Sequence, residues 1–260
     1  HRAVPKITET LLQWYDAHAR ALPWRMTRGK KPDPYRVWLS EIMLQQTVVK
    51  TVIPYFERFM QRFPEVSDLA QAQEDEVLAL WSGLGYYSRA RNIHRTAQQL
   101  VRDHGGLFPD TVAALCELPG IGRYTAGAIT SFAFNRPAPI VEANTLRLYA
   151  RLLALREDPR SSRGQQQLWD FAGRIVPSRN PGEFNQALME LGARVCTPAA
   201  PDCAACPVKS WCRAAAGGWQ SEIPIPVRRV APTSVTEVAI AVHREGKFLL
   251  VQRPPGQRWA

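Results

Sequence analysis

Residues 118–128 read LPGIGRYTAGA. Two glycines flank a single apolar residue. Apolar segments with helical spacing stand on both sides, DTVAALCEL (110–118) before and RYTAGAITSFAF (123–134) after. Glycine reaches backbone angles that other residues avoid, so Gly120 and Gly122 predict a tight turn between two helices, over about 111–130. Such a turn bares backbone N–H groups, and the next helix N-terminus adds positive potential, so it can hold a phosphate. An ordinary joint between helices is the plainer reading, and the glycines alone do not separate the two.

Outward from the turn, the same period continues. Ile7, Leu11, Leu12, Trp14 and Tyr15 begin an amphipathic helix. Trp38, Leu39, Ile42, Met43, Val49, Val52, Ile53, Phe56 and Phe59 form a long apolar stripe, which Pro54 is expected to bend or break. DEVLALWSGL, SRARNIHRTAQQLVRDHGG, QQQLWDFAGRIV and PGEFNQALMELGARVC follow. Several of these segments end in Gly, as helix C-termini often do. No alternating strand pattern interrupts them, so residues 1–213 are predicted to be all-α. Residues 214–234, rich in Ala, Gly and Pro and carrying Arg228 and Arg229, read as a linker. TEVAIAVHREGKFLLVQR (236–253) then changes period to two short β-rich runs around a glycine turn, the start of a second, truncated β-containing domain at 235–260.

The chain has 260 residues and a formal charge of +10, with a pI near 9.7. That favours an anionic partner, most commonly nucleic acid. With it, the hairpin becomes a candidate for DNA backbone contact that ignores base sequence. Nothing reaches the ~18 consecutive apolar residues of a membrane span, and residues 1 onward show no charged-then-apolar signal pattern. The start at His1 and the end at Trp259-Ala260 suggest a fragment or a processed chain.

Three further segments carry candidate chemistry. Cys196, Cys203, Cys206 and Cys212 crowd together, an arrangement unlike a disulfide framework and expected of an intracellular metal site. Four thiolates suit zinc or an iron–sulfur cluster, although only Cys203-Cys206 makes a zinc-type knuckle. Lys209 and Arg213 make this loop basic, whereas Cys116 reads as a small core residue. In WLSEIMLQQT (38–47), Glu41 sits among apolar residues, where a raised pKa suits a general acid; the alternative is a solvated helix face. Gln45 and Gln46 offer donors and acceptors that can replace lost base-pair hydrogen bonds. In APIVEANTLRLYARLLAL (138–155), a lone carboxylate, Glu142, precedes a helix expected from about Thr145 to Leu155 with Asn144 as N-cap. Favourable placement at a helix N-terminus is the simple explanation of Glu142.

Taken together, LPWR (22–25), SEIMLQQT (40–47), GLGYYSRARN (83–92), GIGRYTAGAI (120–129), FNQALMELGARVC (184–196) and the cysteine spacing resemble adenine DNA glycosylases of the MutY type, within the helix–hairpin–helix, endonuclease III superfamily. The resemblance covers about residues 7–213. It implies a mainly α helix–hairpin–helix glycosylase fold, a [4Fe–4S] cluster on the 196–212 loop, and the start of a Nudix-like domain in the tail. It implies a monomeric, bacterial, cytoplasmic and nucleoid-associated enzyme of base excision repair. Its partner would be double-stranded DNA with adenine mispaired to 8-oxoguanine or guanine.

By this resemblance Glu41 is the catalytic acid, and Glu142 stands where the family has an Asp that supports the sugar cation. Asn144 follows it as in the family. Tyr124 replaces the Lys of lyase-active relatives, so no Schiff base forms and a monofunctional glycosylase is expected. Gln46 and Tyr86 match residues inserted into the base stack. Trp24, Arg25 and Gln186 match the adenine pocket, with Leu22, Gln45, Thr47, Gly120 and Gly122 on the matching DNA-facing segments. Glu142 is one methylene longer than Asp, a shift of about 1.5 Å on a fixed backbone. The expectation is that the local backbone compensates. The rivals are a thymine-mismatch glycosylase of the same fold, a catalytically impaired DNA-binding homologue and a zinc-binding module.

Overall fold

The computed structural model describes residues 4–25, 32–225, 233–236, 238 and 240–249. They divide into two units, residues 1–226 and 227–260. The first unit is helical: α1 (Val4–His18), α2 (Pro34–Leu44), α3 (Val49–Arg62), α4 (Val66–Gln71), α5 (Glu74–Trp81), α6 (Ser88–His104), α7 (Val112–Cys116), α8 (Arg123–Phe132), α9 (Ala143–Leu153), α10 (Ser162–Ile175), α11 (Pro181–Arg194) and α12 (Arg213–Ala216).

Two cores organise these helices. One gathers Trp38, Phe56, Phe59, Phe63 and Trp81 with α6, α7 and α8 around them. The other joins α1 to α9, α10 and α11 through Leu11, Tyr149, Leu168, Phe184 and Leu188. Helix α11 packs on α8, α9 and α1, so the two lobes meet along it. Gly192 permits the close approach of α11 to α9, because a Cβ there would lie 2.8 Å from Cβ of Asn144.

The predicted hairpin lies between α7 and α8. Gly120 has φ +74°, and a Cβ there would press on Asn92, so glycine is required on both counts. Ile121, 4 % exposed, anchors the turn between two exposed glycines. Gly122 is the N-cap of α8 with no side-chain cap, and a Cβ on it would meet nothing within 4 Å.

Several expectations need correction. The apolar stripe breaks not at Pro54, which sits inside α3, but at residues 45–48, where Gln46 takes a left-handed backbone (φ 55°). Cys116 is exposed at the end of α7 rather than a core residue, because Leu115 beside it takes the buried position. The supposed linker is packed over its first half: Ala214 and Ile223 are fully buried against the second core. Arg228, Arg229 and the segment from Leu250 onward lie outside the described residues.

In the second unit, His243–Arg244 pairs antiparallel with Lys247–Phe248. Glu245 (φ 51°) and Gly246 (φ 75°) form the turn, both in the left-handed region that suits a two-residue hairpin.

Candidate active site

A cleft of about 1190 Å³ opens between the lobes, walled by α2, α8, α11 and the N-terminus of α9. It brings together Leu22, Trp24, Arg25, Glu41, Gln45, Gln46, Thr47, Tyr124, Glu142, Asn144 and Gln186, from segments up to about 165 residues apart in the chain. Tyr86, Gly120 and Gly122 do not line it; they stand exposed on loops of the first lobe.

Glu41 belongs to α2, a helix buried over most of its length and started by Asp33, whose carboxylate accepts the Tyr35 amide. Only 6 % exposed, it is no solvated surface residue. Tyr124, in the first turn of α8, donates its hydroxyl to Oε2 of Glu41 at 2.7 Å. Burial pushes the Glu41 carboxyl up to about 7; the Glu142 charge adds to this, while the Tyr124 hydrogen bond and Arg25 pull against it. Burial also drives Tyr124 well above a phenol's ordinary value, so it remains a hydroxyl donor.

Glu142 resolves the question of the capping residue. It, and not Asn144, is the N-cap, and the helix starts at Ala143 rather than Thr145. The backbone at Glu142 is extended (φ −139°, ψ −178°), which lets the longer side chain fold back onto its own helix. Oε1 accepts the amides of Asn144 (2.9 Å) and Thr145 (3.0 Å), and the Thr145 hydroxyl accepts the Glu142 amide in return. Asn144 takes the second turn position, directing Nδ2 to Glu142 Oε2 (3.4 Å) and accepting Arg147 at Oδ1 (3.0 Å). The carboxylate is therefore both a helix cap and a wall of the cleft that holds Glu41.

Sequence reasoning missed the support beneath Trp24 and Arg25. Fully buried Glu190 on α11 accepts Arg20 (2.6 and 3.1 Å) and Arg25 (2.8 Å). Burial works to raise its pKa, but the two guanidinium groups outweigh it and hold the carboxyl below its ordinary range. Gln186, one turn earlier on α11, accepts the Tyr15 hydroxyl at 3.3 Å. Trp24 packs edge-on against Phe56. Arg194, one turn on, stands 4.0 Å from Glu190, but the hydrogen-bonded partners of Glu190 lie 165 and 170 residues away, beyond any local signal.

The four cysteines face one cavity, walled by Leu148, Leu152, Val195 and Val208. Helix α9 holds this loop through two arginines four residues apart. Arg147 donates to the carbonyls of Cys196 (2.7 Å) and Gly192 (2.7 Å). Arg151 donates to Thr197 O (2.7 Å), Pro198 O (3.0 Å) and the Cys196 sulfur (3.3 Å). Burial pushes the Cys206 thiol up to about 11 and raises Cys212. Among the described residues, no three His, Cys, Asp or Glu side chains are gathered around one point suited to a single metal ion.

A glycine hairpin at the edge of a two-lobed helical body, with paired carboxylates in the cleft between the lobes, defines a helix–hairpin–helix scaffold. Residues 39–174 match the family model of the HhH-GPD superfamily base excision DNA repair protein. The chain belongs to that superfamily. It is 49 % identical to the adenine DNA glycosylase of Mus musculus over 216 residues, 81 % of this chain and 42 % of that protein. It is 37 % identical over 254 residues to the adenine DNA glycosylase of Buchnera aphidicola subsp. Acyrthosiphon pisum (strain APS), covering 97 % of this chain and 71 % of that protein. A solved thermostable thymine-DNA glycosylase superposes with a TM-score of 0.73 at 27 % identity, over 83 % of this chain and 98 % of that one. The chain thus spans about two fifths of the mouse relative's length. Among the described residues no helix is long and apolar enough to cross a membrane.

Proposed function

We propose that the chain is a monofunctional glycosylase that removes adenine mispaired with 8-oxoguanine or guanine from duplex DNA, working as a monomer. One observation carries this: Glu41, raised to about 7, and Glu142 wall the same cleft. The bond to be broken passes through an oxocarbenium-like state, which two carboxyl groups on either side of the sugar suit. Extruding the adenine costs a few kcal/mol, less when it is mispaired. Glu41 gives its proton to a ring nitrogen of the base, and the electrons of the N-glycosidic bond leave with adenine. Glu142 faces the sugar cation until water adds, and the proton released by that water restores Glu41. Tyr124 holds Glu41 in place and offers no amine for a Schiff base. Leu22, Trp24, Arg25 and Gln186 form the base pocket, Gln45, Gln46, Thr47 and Tyr86 meet the opened stack, and the Gly120–Gly122 turn takes a phosphate. Residues 235–260 begin a Nudix-like domain.

Four cysteine thiols lining one cavity match the donor set of a [4Fe–4S] cluster, and Arg151 beside Cys196 offsets thiolate charge. Cys196, Cys203, Cys206 and Cys212 would hold it. Bound by these four residues, the cluster would tie the basic loop carrying Lys209 and Arg213 into one piece against α9. Anaerobically purified protein is expected to absorb near ~400 nm and to carry about four iron atoms per chain; stoichiometric zinc without that absorbance overturns the assignment.

Single-turnover assays on duplexes carrying A opposite 8-oxoguanine, A opposite G, and T opposite G test the substrate. Alkali-labile strands are expected from the first two. Their appearance from the T mispair alone favours the thymine reading, which the similarity to the thymine-DNA glycosylase structure supports. Since Glu41 must be protonated to act, the rate is expected to be level below its pKa of about 7 and to fall roughly tenfold per unit above it. Tyr124→Phe removes a hydrogen bond that favours the Glu41 anion, so this alkaline limb is expected to move to higher pH. A limb displaced to lower pH contradicts that role.

A further inference from the structure

Arg89, at the start of α6, is 7 % exposed and pairs with no carboxylate among the described residues. Its two terminal nitrogens reach two segments between them, residues 42–47 and 84–85. Nη1 donates to the carbonyls of Ile42 (3.0 Å), Met43 (3.0 Å) and Gln45 (2.6 Å), at the C-terminal end of α2. Nη2 donates to the carbonyls of Leu84 (3.1 Å) and Gly85 (3.3 Å) and to the Thr47 hydroxyl (3.3 Å). The guanidinium carbon also lies 5.2 Å from the Trp81 ring centroid and 5.5 Å from that of Tyr86.

Both clamped loops hold a residue in an unusual conformation. Gln46 (φ 55°) and Tyr86 (φ 48°) are left-handed without being glycine, and both are exposed. Such conformations persist where surrounding contacts over-determine them, and they cluster at binding sites. Arg89 supplies those contacts to both loops at once. It also reaches the carbonyl of Ile42, the residue that follows Glu41.

Building on the proposed glycosylase reading, we infer that Arg89 is a positioning residue that couples the 45–47 loop, the 84–86 loop and the end of α2 into one rigid wedge. Gln46 and Tyr86 then enter the duplex together, with Glu41 in register with the base they displace. The planar fork is what makes this possible: Nη1 holds the end of α2 and Gln45, while Nη2 bridges Thr47 to the carbonyls of Leu84 and Gly85. A lysine keeps the charge but cannot span both sets of carbonyls.

The test uses the full chain and its Arg89→Lys variant with duplex DNA in which 2-aminopurine replaces the mispaired adenine. Its fluorescence rises when the base leaves the stack. The variant is expected to lose at least about tenfold in both this rise and the single-turnover rate at saturating enzyme, as displaced reacting groups do. Affinity for undamaged duplex should change by less than about threefold, since that depends on phosphate contacts. The alkaline limb of the pH profile should stay in place, because Glu41 is untouched. A folded Arg89→Lys protein with the full fluorescence rise overturns the coupling; a purely structural arginine would cost stability and leave extrusion by the folded protein intact.

If the variant does not fold, hydrogen exchange on the unaltered protein decides. The amides of Gln45, Thr47 and Leu84 are bonded to the carbonyls of Ile42, Leu44 and Trp81. Coupling predicts that they share one opening equilibrium, within about twofold; independent opening of the two loops overturns it. An unaltered protein that neither unstacks the probe nor cleaves an adenine mispair defeats the glycosylase reading instead, and leaves the exchange result standing.

Discussion

Glu41→Gln is expected to lower the single-turnover rate of adenine release by roughly 10³–10⁴-fold, the upper range for loss of a general acid. The amide keeps the shape of the side chain, and its oxygen can still accept the Tyr124 hydroxyl that lies 2.7 Å from the native carboxyl. The fold should therefore survive, and so should the affinity for undamaged duplex. What disappears is the proton. The native alkaline limb near 7 should vanish with it, because the group that titrates there is gone. A variant that keeps more than about a tenth of the native rate would show that the base leaves without protonation by this residue.

The second large effect is at Glu142. Glu142→Gln is expected to cost about 10²–10³-fold in rate, the range seen when a preorganised electrostatic partner of a transition state is lost. The glutamine oxygen can still accept the amides of Asn144 and Thr145, so the cap is retained while the charge is removed. Glu142→Ala removes both, and should also lower stability by about 1 kcal/mol. Thermal or chemical denaturation beside the rate assay separates the two contributions. Glu142→Asp is the control for reach. An aspartate at an N-cap also serves the first-turn amides, and the rate is expected to change by less than about tenfold. A gain on the order of 10²-fold would mean that the native carboxylate stands about 1 Å out of place.

Much of this architecture was legible along the chain because it depends on near neighbours. The glycines of the hairpin, the apolar spacing that flanks them and the four-cysteine loop are local patterns with local causes. Helix α6 ends at Gly105 in a left-handed cap, as its terminal glycine predicted. The first departure concerns α9. Asn is a good N-cap in general, but buried Ile140 and Val141 fix the approach of the chain, and Asn144 packs against Gly192 inside the first turn. Tertiary contact thus moved the cap two residues upstream and gave it to a glutamate.

The segment SRARN shows the same limit. Arg89 and Arg91 are two positions apart, so on a helix they point to nearly opposite sides. Arg89 is buried as a clamp between two loops, while Arg91 is exposed and pairs with Glu74. Nothing in the local composition says which arginine turns inward. Pro54 gave a false break for a related reason: packing of Val52, Phe56 and Phe59 carries α3 through it.

Periodicity, glycine placement and cysteine spacing were thus sufficient for the helical class, the hairpin and the clustered thiols, since each arises within one or two turns of chain. The meeting of Glu41 with Tyr124, 83 residues apart, arose only where α2 packs on α8 within the first core, and that of Arg20 with Glu190, 170 apart, only where the end of α1 packs on α11 within the second. Burial, which sets the protonation of Glu41, belongs to that packing of distant segments. It depends on which surfaces exclude water from one another, and no stretch of chain carries that information alone.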